Sequence, residues 1–491
     1  MKYFSTRDTE RTNGVTAAQA IKNGLAPDGG LYMPDEIPTL TKADIDRLCD
    51  LDYAERAADI LSRFLSDYTF DELLADCKAA YGANRFDGGA APLADLDGNV
   101  YVLELWHGPT GAFKDMALQI MPRLLSRALE KTGEKRTALI LVATSGDTGK
   151  AALEGYRDVP GVKITVFYPV DGVSRIQKLQ MATQEGENVY VCAVKGNFDD
   201  AQNGVKRIFS DKEAAKKLDG AGVFLSSANS INWGRLAPQI AYYVSAYCDL
   251  CAKGDIKNGD EIDFCVPTGN FGNIFAGYIA KRMGLPVRRF ICASNSNNVL
   301  TDFFATGTYD RNRTFHTTMS PSMDILISSN LERLLFLLAG AERTRAWMKA
   351  LVETGKYTVD ADIKEKLDAE FVGCCCSEEN TAATIKNTFD KFGYLSDTHT
   401  ACALYGAFEN ADDTKTVCDS TASPYKFAAD VLCSLGGEKP EDAFEAFDKL
   451  NAMTGVKIPA SFTALKTKPV RFDRVIEPDR MLDEILSKEE I

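Results

Sequence analysis

The segment Thr137-Ala-Leu-Ile-Leu-Val-Ala-Thr144 decides the fold class of this 491-residue chain. It is a continuous apolar run of strand length. The glycine turn Ser145-Gly-Asp-Thr-Gly149 leads from it into the helix-like sequence Lys150-Ala-Ala-Leu-Glu-Gly-Tyr156. Strands that are apolar on both faces are typical of parallel sheets with helices packed on each side. The segment therefore predicts a strand–helix unit of an α/β protein.

The alternation of strands and helices continues on both sides of this unit. We predict further strands at 163–168, 188–194, 222–226, 261–266 and 287–293, and helices at 236–247 and 274–282. The patterns of residues 1–92 and of the chain beyond about residue 330 are mainly helical. We therefore expect an α/β protein with two parallel-sheet, three-layer domains and a mostly helical N-terminal accessory domain. The expected boundaries are 1–92 for the accessory domain, and 93–255 and 256–491 for the two α/β domains, the last with a helical C-terminal part.

Two glycine-rich turns follow predicted strands and open predicted helices. They are Ser145 to Gly149 and Gly269-Asn-Phe-Gly-Asn273. Backbone N–H groups at such a turn converge on an anion, and ligands of parallel sheets bind at the carboxyl ends of the strands. Either turn alone is weak evidence, because many glycine turns only tighten a connection or cap a helix. The first turn lacks the spacing of a nucleotide-triphosphate loop, which argues against a nucleotide triphosphatase.

A third polar turn, Ser226-Ser-Ala-Asn-Ser-Ile-Asn-Trp-Gly-Arg235, opens the helix predicted at 236–247. Its simplest interpretation is a capped helix start, for which Ser230 or Asn232 would suffice. The functional interpretation uses the planar cation Arg235, with Ser230 and Asn232 as hydrogen-bond donors, to bind an anionic group of a substrate. Because the net charge of the chain is −14, an anionic substrate needs a local cationic site of this kind.

The run His107-Gly-Pro-Thr-Gly-Ala-Phe-Lys114-Asp-Met carries the strongest chemical signal. It places Lys114 among small and apolar residues, directly after a strand-like segment at 102–106. Burial lowers the pKa of a lysine, so that its neutral amine can form a Schiff base with a cofactor aldehyde. A lone lysine is usually a surface residue. A lysine in a shaped loop, accompanied by two anion-binding turns, indicates a pyridoxal-phosphate enzyme.

The composition of the chain argues against several classes of partner and predicts its cellular compartment. The acidic net charge argues against nucleic acid or an acidic membrane surface as the main partner. No apolar run reaches the roughly 20 residues of a membrane span. Thirteen scattered cysteines and a charged start without a signal peptide predict reduced thiols and a cytoplasmic location. Three histidines are too few for us to expect a histidine-built metal site, and no pattern predicts an oligomeric interface.

Three smaller motifs each have a chemical and a structural interpretation. Cys248-Asp-Leu-Cys251 has redox or zinc spacing, but no second pair lies at zinc-finger distance, which favours two half-buried helical thiols. The run Cys374-Cys-Cys376 has no histidine near it in sequence and is interpreted as packing. Asp397-Thr-His399-Thr either supplies an acid–base group or caps the following helix.

In chain order, these motifs resemble the threonine synthase family in its long bacterial and fungal form. The matching segments are Gly24–Tyr32, His107–Asp115, Ser145–Gly149, Ser226–Arg235, Gly269–Asn273 and Ser420–Phe427. The resemblance covers almost the whole chain. It implies a fold type II pyridoxal-phosphate enzyme, similar in fold to the tryptophan synthase β-subunit. It also implies the conversion of O-phospho-L-homoserine and water to L-threonine and phosphate, with pyridoxal 5′-phosphate as cofactor.

The resemblance further implies roles for individual residues. Lys114 would form the Schiff base and act as the base for the α- and β-protons of the substrate. The cofactor phosphate would be bound by the backbone amides of Gly269, Asn270, Phe271, Gly272 and Asn273, and the pyridine nitrogen by Thr421. The substrate carboxylate would be bound by Ser145, Gly146, Asp147 and Thr148, and the substrate phosphate by Ser230, Asn232 and Arg235.

At three positions the chain departs from the pattern of that family. Gly111 stands where a larger apolar residue is common, Ser423 where histidine is common, and Tyr425 where alanine is common. We expect these departures to change local packing, because none of the three residues is a group that does chemistry.

Two other functions stay open. A serine or threonine dehydratase would use the same cofactor, but it would give the Ser230 and Arg235 cluster nothing to bind. A relative that keeps the fold and binds another ligand would have no need of an intact Lys114 and Thr421.

Overall fold

Two parallel sheets, each covered by helices, form the centre of the computed structural model, which describes residues 1–144, 146–171 and 173–489. The strands are β1 (Tyr3–Ser5), β2 (Tyr32–Pro34), β3 (Leu93–Asp95), β4 (Val100–Glu104), β5 (Thr137–Ala143), β6 (Val162–Pro169), β7 (Val189–Val194), β8 (Val223–Ser226), β9 (Ile262–Pro267), β10 (Val287–Ser294), β11 (Thr308–Asp310), β12 (Lys356–Thr358), β13 (Phe371–Cys375), β14 (Thr416–Ser420) and β15 (Val475–Ile476).

The helices surround these strands. They are α1 (Ala17–Asn23), α2 (Lys42–Cys49), α3 (Tyr53–Phe64), α4 (Phe70–Tyr81), α5 (Lys114–Leu118), α6 (Met121–Lys131), α7 (Asp147–Tyr156), α8 (Arg175–Ala182), α9 (Phe198–Ser210), α10 (Lys212–Gly220), α11 (Trp233–Lys253), α12 (Gly272–Met283), α13 (Val299–Thr306), α14 (Leu331–Ala339), α15 (Ala341–Thr354), α16 (Ala361–Glu370), α17 (Glu378–Phe392), α18 (Thr398–Glu409), α19 (Ala428–Ser434), α20 (Ala443–Thr454), α21 (Ala460–Thr463) and α22 (Met481–Lys488). Short 3₁₀ turns lie at Pro321–Met323 and Pro424–Phe427.

The larger sheet has the strand order β13-β10-β9-β14-β4-β3, and only β3 runs antiparallel to its neighbour among the described strands. The smaller sheet has the order β15-β7-β6-β5-β8 and is parallel throughout its described strands. The predicted α/β class with parallel sheets is therefore confirmed. The six strands predicted from 137 to 293 are confirmed to within one residue at each end.

The chain beyond residue 330 is mainly helical, as predicted, but it also supplies two strands of the larger sheet that were not predicted. Strand β13 forms one edge of this sheet, and β14 lies in its interior between β9 and β4. The sequence of β14, Thr-Val-Cys-Asp-Ser, is short and half polar, and β13 contains a glycine. Neither segment shows the continuous apolar run that indicates a buried strand. Strand β14 is nevertheless fully buried between its neighbours, whereas β13 at the edge is mostly half-buried.

Strands from distant parts of the chain meet in both sheets. Strand β4 lies beside β14 in the larger sheet, and β15 near the C-terminus pairs with β7 in the smaller one. Each sheet thus contains strands from both sides of residue 255. The three domain boundaries given above stay predictions.

Residues 1–81 form the predicted mainly helical region, with α1–α4 and the antiparallel pair of β1 and β2. Its helices α2 and α3 pack against the long buried helix α11. Within the described residues, no helix is long and apolar enough to cross a membrane.

The three departures from the family pattern lie in one neighbourhood. Gly111 has φ +69°, and a Cβ atom at this position would come within 2.8 Å of the Phe462 ring and 3.5 Å of the Ser423 side chain. Tyr425 contacts the same aromatic cluster through Phe447, with ring centroids 5.8 Å apart. The small residues at 111 and 423 thus leave the space that Phe462 occupies.

Candidate active site

Lys114 begins α5 at the end of a loop that follows β4. Two backbone hydrogen bonds join this loop to the segment after β14: Phe113 N donates to Thr421 O at 2.8 Å, and Ser423 N donates to Gly111 O at 3.0 Å. Because β4 and β14 are parallel neighbours, their carboxyl ends lie at the same edge of the sheet. The fold therefore brings Lys114 and Thr421 together across about 300 residues of sequence.

The amine of Lys114 is nearly enclosed by protein. Its Nζ lies 3.5 Å from Ser322 Oγ and 3.8 Å from Asp147 Oδ2. The pKa of Lys114 is lowered to about 8, chiefly by burial and also by the charges of Lys426 and Arg235, whereas Asp147 opposes this change. A substantial neutral fraction near neutral pH is what a lysine that attacks an aldehyde requires.

The turn before α7 places a carboxylate beside Lys114. Ser145 lies outside the described residues. Gly146 precedes the helix with φ +149°, and the α7 N-terminus presents backbone N–H groups. The side chain of Asp147 already binds donors on both oxygens: Oδ1 accepts from Gln177 at 2.8 Å, and Oδ2 accepts from Ser322 Oγ at 3.2 Å. A substrate carboxylate at this turn would meet the N–H groups of Asp147 and Thr148 rather than the Asp147 side chain.

Helix α7 comes close to Lys114 because a glycine lies where it crosses α5. A Cβ atom at Gly155 would overlap the carbonyl oxygen of Leu118, the last residue of α5. Any larger residue would push the two helices apart. Gly155 therefore allows the close packing of α7 on the helix that Lys114 begins.

The turn 269–273 forms a cradle at the N-terminus of α12, next to the loop that carries Ser322. Phe271 has φ +65°, and no side chain caps the helix. A Cβ atom at Gly269 would lie 3.1 Å from Ser322 O. The side-chain nitrogen of Asn273 is buried without a hydrogen-bond partner among the described residues. An uncapped helix N-terminus with a spare buried donor fits a phosphate group.

Thr421 follows β14 and is buried. Its backbone N–H donates to Thr400 Oγ1 at 3.2 Å. Among the described residues, none forms a hydrogen bond with the Thr421 hydroxyl. This hydroxyl is therefore available to a ligand that enters between Lys114 and the cradle.

Arg235 lies in the first turn of α11 and is buried. Its Nη1 donates to Ala228 O at 2.8 Å, and burial lowers its pKa to about 10. Its charge bears on the pKa of Lys114, so the two groups share one neighbourhood. The half-buried hydroxyl of Ser230 lies in the same turn and contacts only Asn229 Oδ1, at 3.3 Å, among the described residues.

Asn232 has a structural role in this turn. Its Oδ1 accepts from Gly234 N at 2.8 Å and so caps α11, and its Nδ2 donates to Ile21 O at 2.8 Å. Both ends of the amide are therefore occupied. The capping interpretation of this turn holds for Asn232, and its role in phosphate binding stays a prediction.

Two residues near Lys114, Ser322 and Lys426, were not predicted to belong to the site, and His399, which contacts Ser322, was considered only as an acid–base group or part of a helix cap. Lys426 lies in the last motif of the family resemblance, and its Nζ is 3.1 Å from Asp147 Oδ1. The sequence around it is apolar, as it is around Lys114, so the same reasoning could have singled it out. Ser322 lies in a loop with no periodicity, and no sequence signal marks it.

The motif that contains His399 caps a helix and also supports the Ser322 loop. Asp397 caps α18 by accepting from the backbone N–H groups of His399 and Thr400, as the structural interpretation of this motif predicts. His399 Nε2 accepts from Ser322 N at 3.0 Å, which places the ring proton on Nδ1, 2.8 Å from Asp397 Oδ2. His399 thus holds the Ser322 loop in place.

The two cysteine motifs contain free thiols. Cys248 is buried and Cys251 half-buried on α11, as expected, and Cys374 to Cys376 lie at the end of β13. Within the described residues, no group of three or more histidine, cysteine, aspartate or glutamate side chains is arranged to hold a metal ion.

Comparison with known proteins identifies relatives along the whole chain. Residues 2–81 match the family described as threonine synthase N terminus, and residues 88–417 match the family of pyridoxal-phosphate dependent enzymes. The chain is 42% identical over 431 residues to human threonine synthase-like 1, covering 85% of this chain and 58% of that protein. It is 40% identical over 448 residues to the threonine synthase of Pseudomonas aeruginosa, covering 90% and 92% of the two chains.

Solved structures give the same result for the fold. The pyridoxal-phosphate-bound threonine synthase of Brucella melitensis matches with a TM-score of 0.89 at 37% identity, over 100% of this chain and 98% of the other. The yeast threonine synthase also has a TM-score of 0.89, at 34% identity and with the same coverage. The similarity to fold type II enzymes expected from the sequence is therefore confirmed.

Proposed function

We propose that this chain, which belongs to the threonine synthase family of pyridoxal-phosphate-dependent enzymes, converts O-phospho-L-homoserine and water to L-threonine and phosphate. One observation carries the proposal. A buried lysine amine with a lowered pKa lies beside a turn at a helix N-terminus, within the electrostatic influence of a buried arginine. The lysine suits an aldehyde cofactor, and the arginine suits a phosphorylated substrate.

The residues around Lys114 fit pyridoxal 5′-phosphate. Lys114 would hold the cofactor as a Schiff base, and Thr421 would hydrogen-bond to its ring nitrogen. The N–H groups from Gly269 to Asn273 would bind its phosphate. When bound, the cofactor supplies an electron-withdrawing ring that stabilises negative charge next to the α-carbon of an amino acid.

Lys114 is the group in the site best placed to move protons. As a neutral amine it would take the α-proton, give that proton up, and then take a β-proton of the substrate; as an ammonium it would return a proton to the product. The bond between Cγ and the ester oxygen breaks, and phosphate leaves with the electron pair. The hydroxyl group of water then adds at Cβ, and Cγ ends with one more hydrogen.

The remaining predicted residues would bind the two anionic groups of the substrate. Arg235 and Ser230 would hold the phosphate before and after it leaves. The backbone N–H groups of the turn from Ser145 to Thr148 would hold the carboxylate. Asn232 would act on the phosphate only through the helix that it caps.

A dehydratase acting on serine or threonine is the alternative. Such an enzyme needs the lysine and the cradle but no cation for a phosphate ester. A buried Arg235 without a carboxylate partner among the described residues favours the phosphorylated substrate.

We also propose that the protein works in the cytoplasm. All thirteen cysteines are free thiols in this fold, and most of them are buried. Free thiols in this number suit a reducing compartment.

The function is tested by mixing the purified protein and cofactor with O-phospho-L-homoserine and measuring phosphate and threonine. We expect the two products in equal amounts. Arg235→Ala should raise KM about 10- to 100-fold, because it removes a charge-assisted hydrogen bond. Conversion of L-serine or L-threonine to an oxo acid, without reaction of the phosphorylated substrate, would instead identify a dehydratase.

A further inference from the structure

We propose that Lys426 is a positioning residue that acts on Lys114 through the carboxylate of Asp147. The inference rests on the proposed function, since it concerns the same site. It assigns the side chain of Asp147 to the control of the lysine and leaves only its backbone N–H to the substrate carboxylate.

Lys426 is a second buried lysine within this site. Its side chain is fully buried, in the 3₁₀ turn Pro424–Phe427. Its Nζ donates to Thr110 O at 3.0 Å and lies 3.1 Å from Asp147 Oδ1. One ammonium group therefore ties together the loop before α5, the N-terminus of α7 and the segment after β14. Such a buried charge is stable only with partners of this kind.

Asp147 connects the two lysines. Oδ1 binds Lys426, and Oδ2 lies 3.8 Å from Lys114 Nζ. Burial alone would raise the pKa of Asp147, but the ammonium groups of Lys426 and Lys114 and the hydrogen bond from Gln177 hold it well below its usual range. The carboxylate is therefore charged at physiological pH, and both ammonium groups compete for it.

Ser322 completes the contacts that hold the Lys114 amine. Its hydroxyl donates to Asp147 Oδ2 at 3.2 Å and accepts from Lys114 at 3.5 Å. Its backbone N–H is held by His399, which is held in turn by Asp397. The amine thus has two fixed neighbours, and Lys426 fixes one of them.

The charges around Lys114 give the sign of the effect. Lys426 on the turn after β14 and Arg235 on α11 lower the pKa of Lys114, in the same direction as burial. Asp147 on α7 and Asp115 on α5 raise it. Removing Lys426 takes away one lowering charge and frees Asp147 to pair with Lys114. Both consequences make the neutral amine rarer.

The test measures the protonation of Lys114 directly, in the full chain freed of cofactor. A pulse of trace acetic anhydride at pH 6.5 to 10 labels neutral amines, and mass spectrometry gives the labelled fraction of Lys114. For Lys426→Met we expect about tenfold less neutral Lys114 at pH 7 than in the unchanged protein, which is about one pKa unit. For Asp147→Asn we expect a change in the opposite direction.

Lys150→Met is the matched control. Lys150 is also buried and lies on α7, where it pairs with Glu154. Its loss should leave the labelling of Lys114 unchanged. Circular dichroism checks that each variant is folded.

A folded Lys426→Met variant with the labelling curve of the unchanged protein would overturn the proposal. If that variant does not fold, Asp147→Asn decides: a rise or no change in the pKa of Lys114 would overturn it as well. No substrate or cofactor takes part in the labelling. A protein that labels as predicted but does not form threonine would therefore contradict the proposed function and leave the positioning role standing.

Discussion

At the scale of single residues, the cradle at the N-terminus of α12 depends on a missing side chain. Gly269 lies against backbone atoms of the neighbouring loop, where a Cβ atom would be 3.1 Å from Ser322 O and 3.3 Å from Met323 Cα. Both contacts are tighter than ordinary van der Waals contact. Backbone atoms cannot rotate away as the end of a flexible side chain can, so one of the two segments must move.

We expect Gly269→Ala to weaken cofactor binding about tenfold, or about 1.4 kcal/mol, because the turn that presents N–H groups to the phosphate is displaced. The measurement is a titration of the full-length protein with pyridoxal 5′-phosphate, followed by the visible absorption of the bound cofactor.

Gly220→Ala is the matched control, because Gly220 ends α10 and a Cβ atom there would have nothing within 4 Å of it. It should bind the cofactor as tightly as the unchanged protein. Equal dissociation constants for Gly269→Ala and Gly220→Ala would show that the cradle does not need the glycine.

The sequence predicted those site residues that are marked by their immediate neighbours in the chain. Lys114 and the turn at 269–273 carry their own signals: an amine in a shaped apolar loop, and glycines after a strand. Ser322 and His399 belong to the site only because two loops meet above the sheet, and no spacing in the sequence records that meeting. Lys426 has apolar sequence neighbours, as Lys114 has, but its partner Asp147 is nearly 280 positions away in the chain.

At the scale of elements, the strand that brings Thr421 to the lysine is one of those that the sequence did not predict. Strand β14 is polar at Asp419 and Ser420, which form its carboxyl end next to the site. The strands from β5 to β10 were predicted because burial on both faces demands continuous apolar residues. A strand that serves the site departs from this pattern and is therefore harder to recognise in the sequence.

Helix α11 begins at a turn in which, in our proposal, Asn232 caps the helix and its neighbour Ser230 binds the substrate. Asn232 caps the helix and donates to Ile21 O of α1. The Ser230 hydroxyl donates only to its neighbour Asn229 among the described residues. We expect Asn232→Ala to lower the free energy of unfolding by about 2 kcal/mol, from one lost cap and one lost hydrogen bond. Urea denaturation measures this change.

Ser230→Ala serves as the comparison variant for the same turn. It should leave the free energy of unfolding within about 0.5 kcal/mol and raise KM for O-phospho-L-homoserine. The reverse pattern, a stable Asn232→Ala protein with a raised KM, would assign phosphate binding to Asn232 and contradict the division of roles.

At the scale of the whole molecule, the N-terminal region is tied to the helix that supports the cofactor cradle. Glu332, in the first turn of α14, accepts from Thr6 at 2.6 Å and forms a two-point ion pair with Arg7 at 2.7 and 2.8 Å. Asn330, two residues earlier, holds the carbonyl of Asn270 through two donors at 3.0 Å each. Thr6 and Arg7 are therefore connected to the cradle through the first turn of α14, where Glu332 contacts them and Asn330 contacts Asn270.

We expect Arg7→Met to lower the free energy of unfolding by about 1–2 kcal/mol, because it leaves the buried Glu332 carboxylate with one donor. The side chain of Arg7 is 27% exposed, which keeps the effect below that of a fully buried pair. Urea denaturation of Arg7→Met, Glu332→Gln and the double variant gives the coupling energy. A coupling energy near zero would mean that the pair contributes nothing to holding the two regions together.

The acidic molecule concentrates positive charge at its site. The chain carries a net charge of −14, yet the half-buried Lys114 and the buried Lys426 both lie beside one carboxylate, Asp147, and the charge of the buried Arg235 bears on Lys114. An anionic cofactor and an anionic substrate would therefore meet a local field opposite to that of the whole protein.

The attachment of the cofactor to Lys114 is tested most directly by reduction and peptide mapping. The protein is loaded with pyridoxal 5′-phosphate, reduced with sodium borohydride and digested, and the modified peptide is identified by mass spectrometry. We predict that the phosphopyridoxyl group is found on Lys114 and that Lys426, the other buried lysine at Asp147, is unmodified. Modification of Lys426, or of no lysine in this site, would contradict the assignment of Lys114 and with it the proposed function.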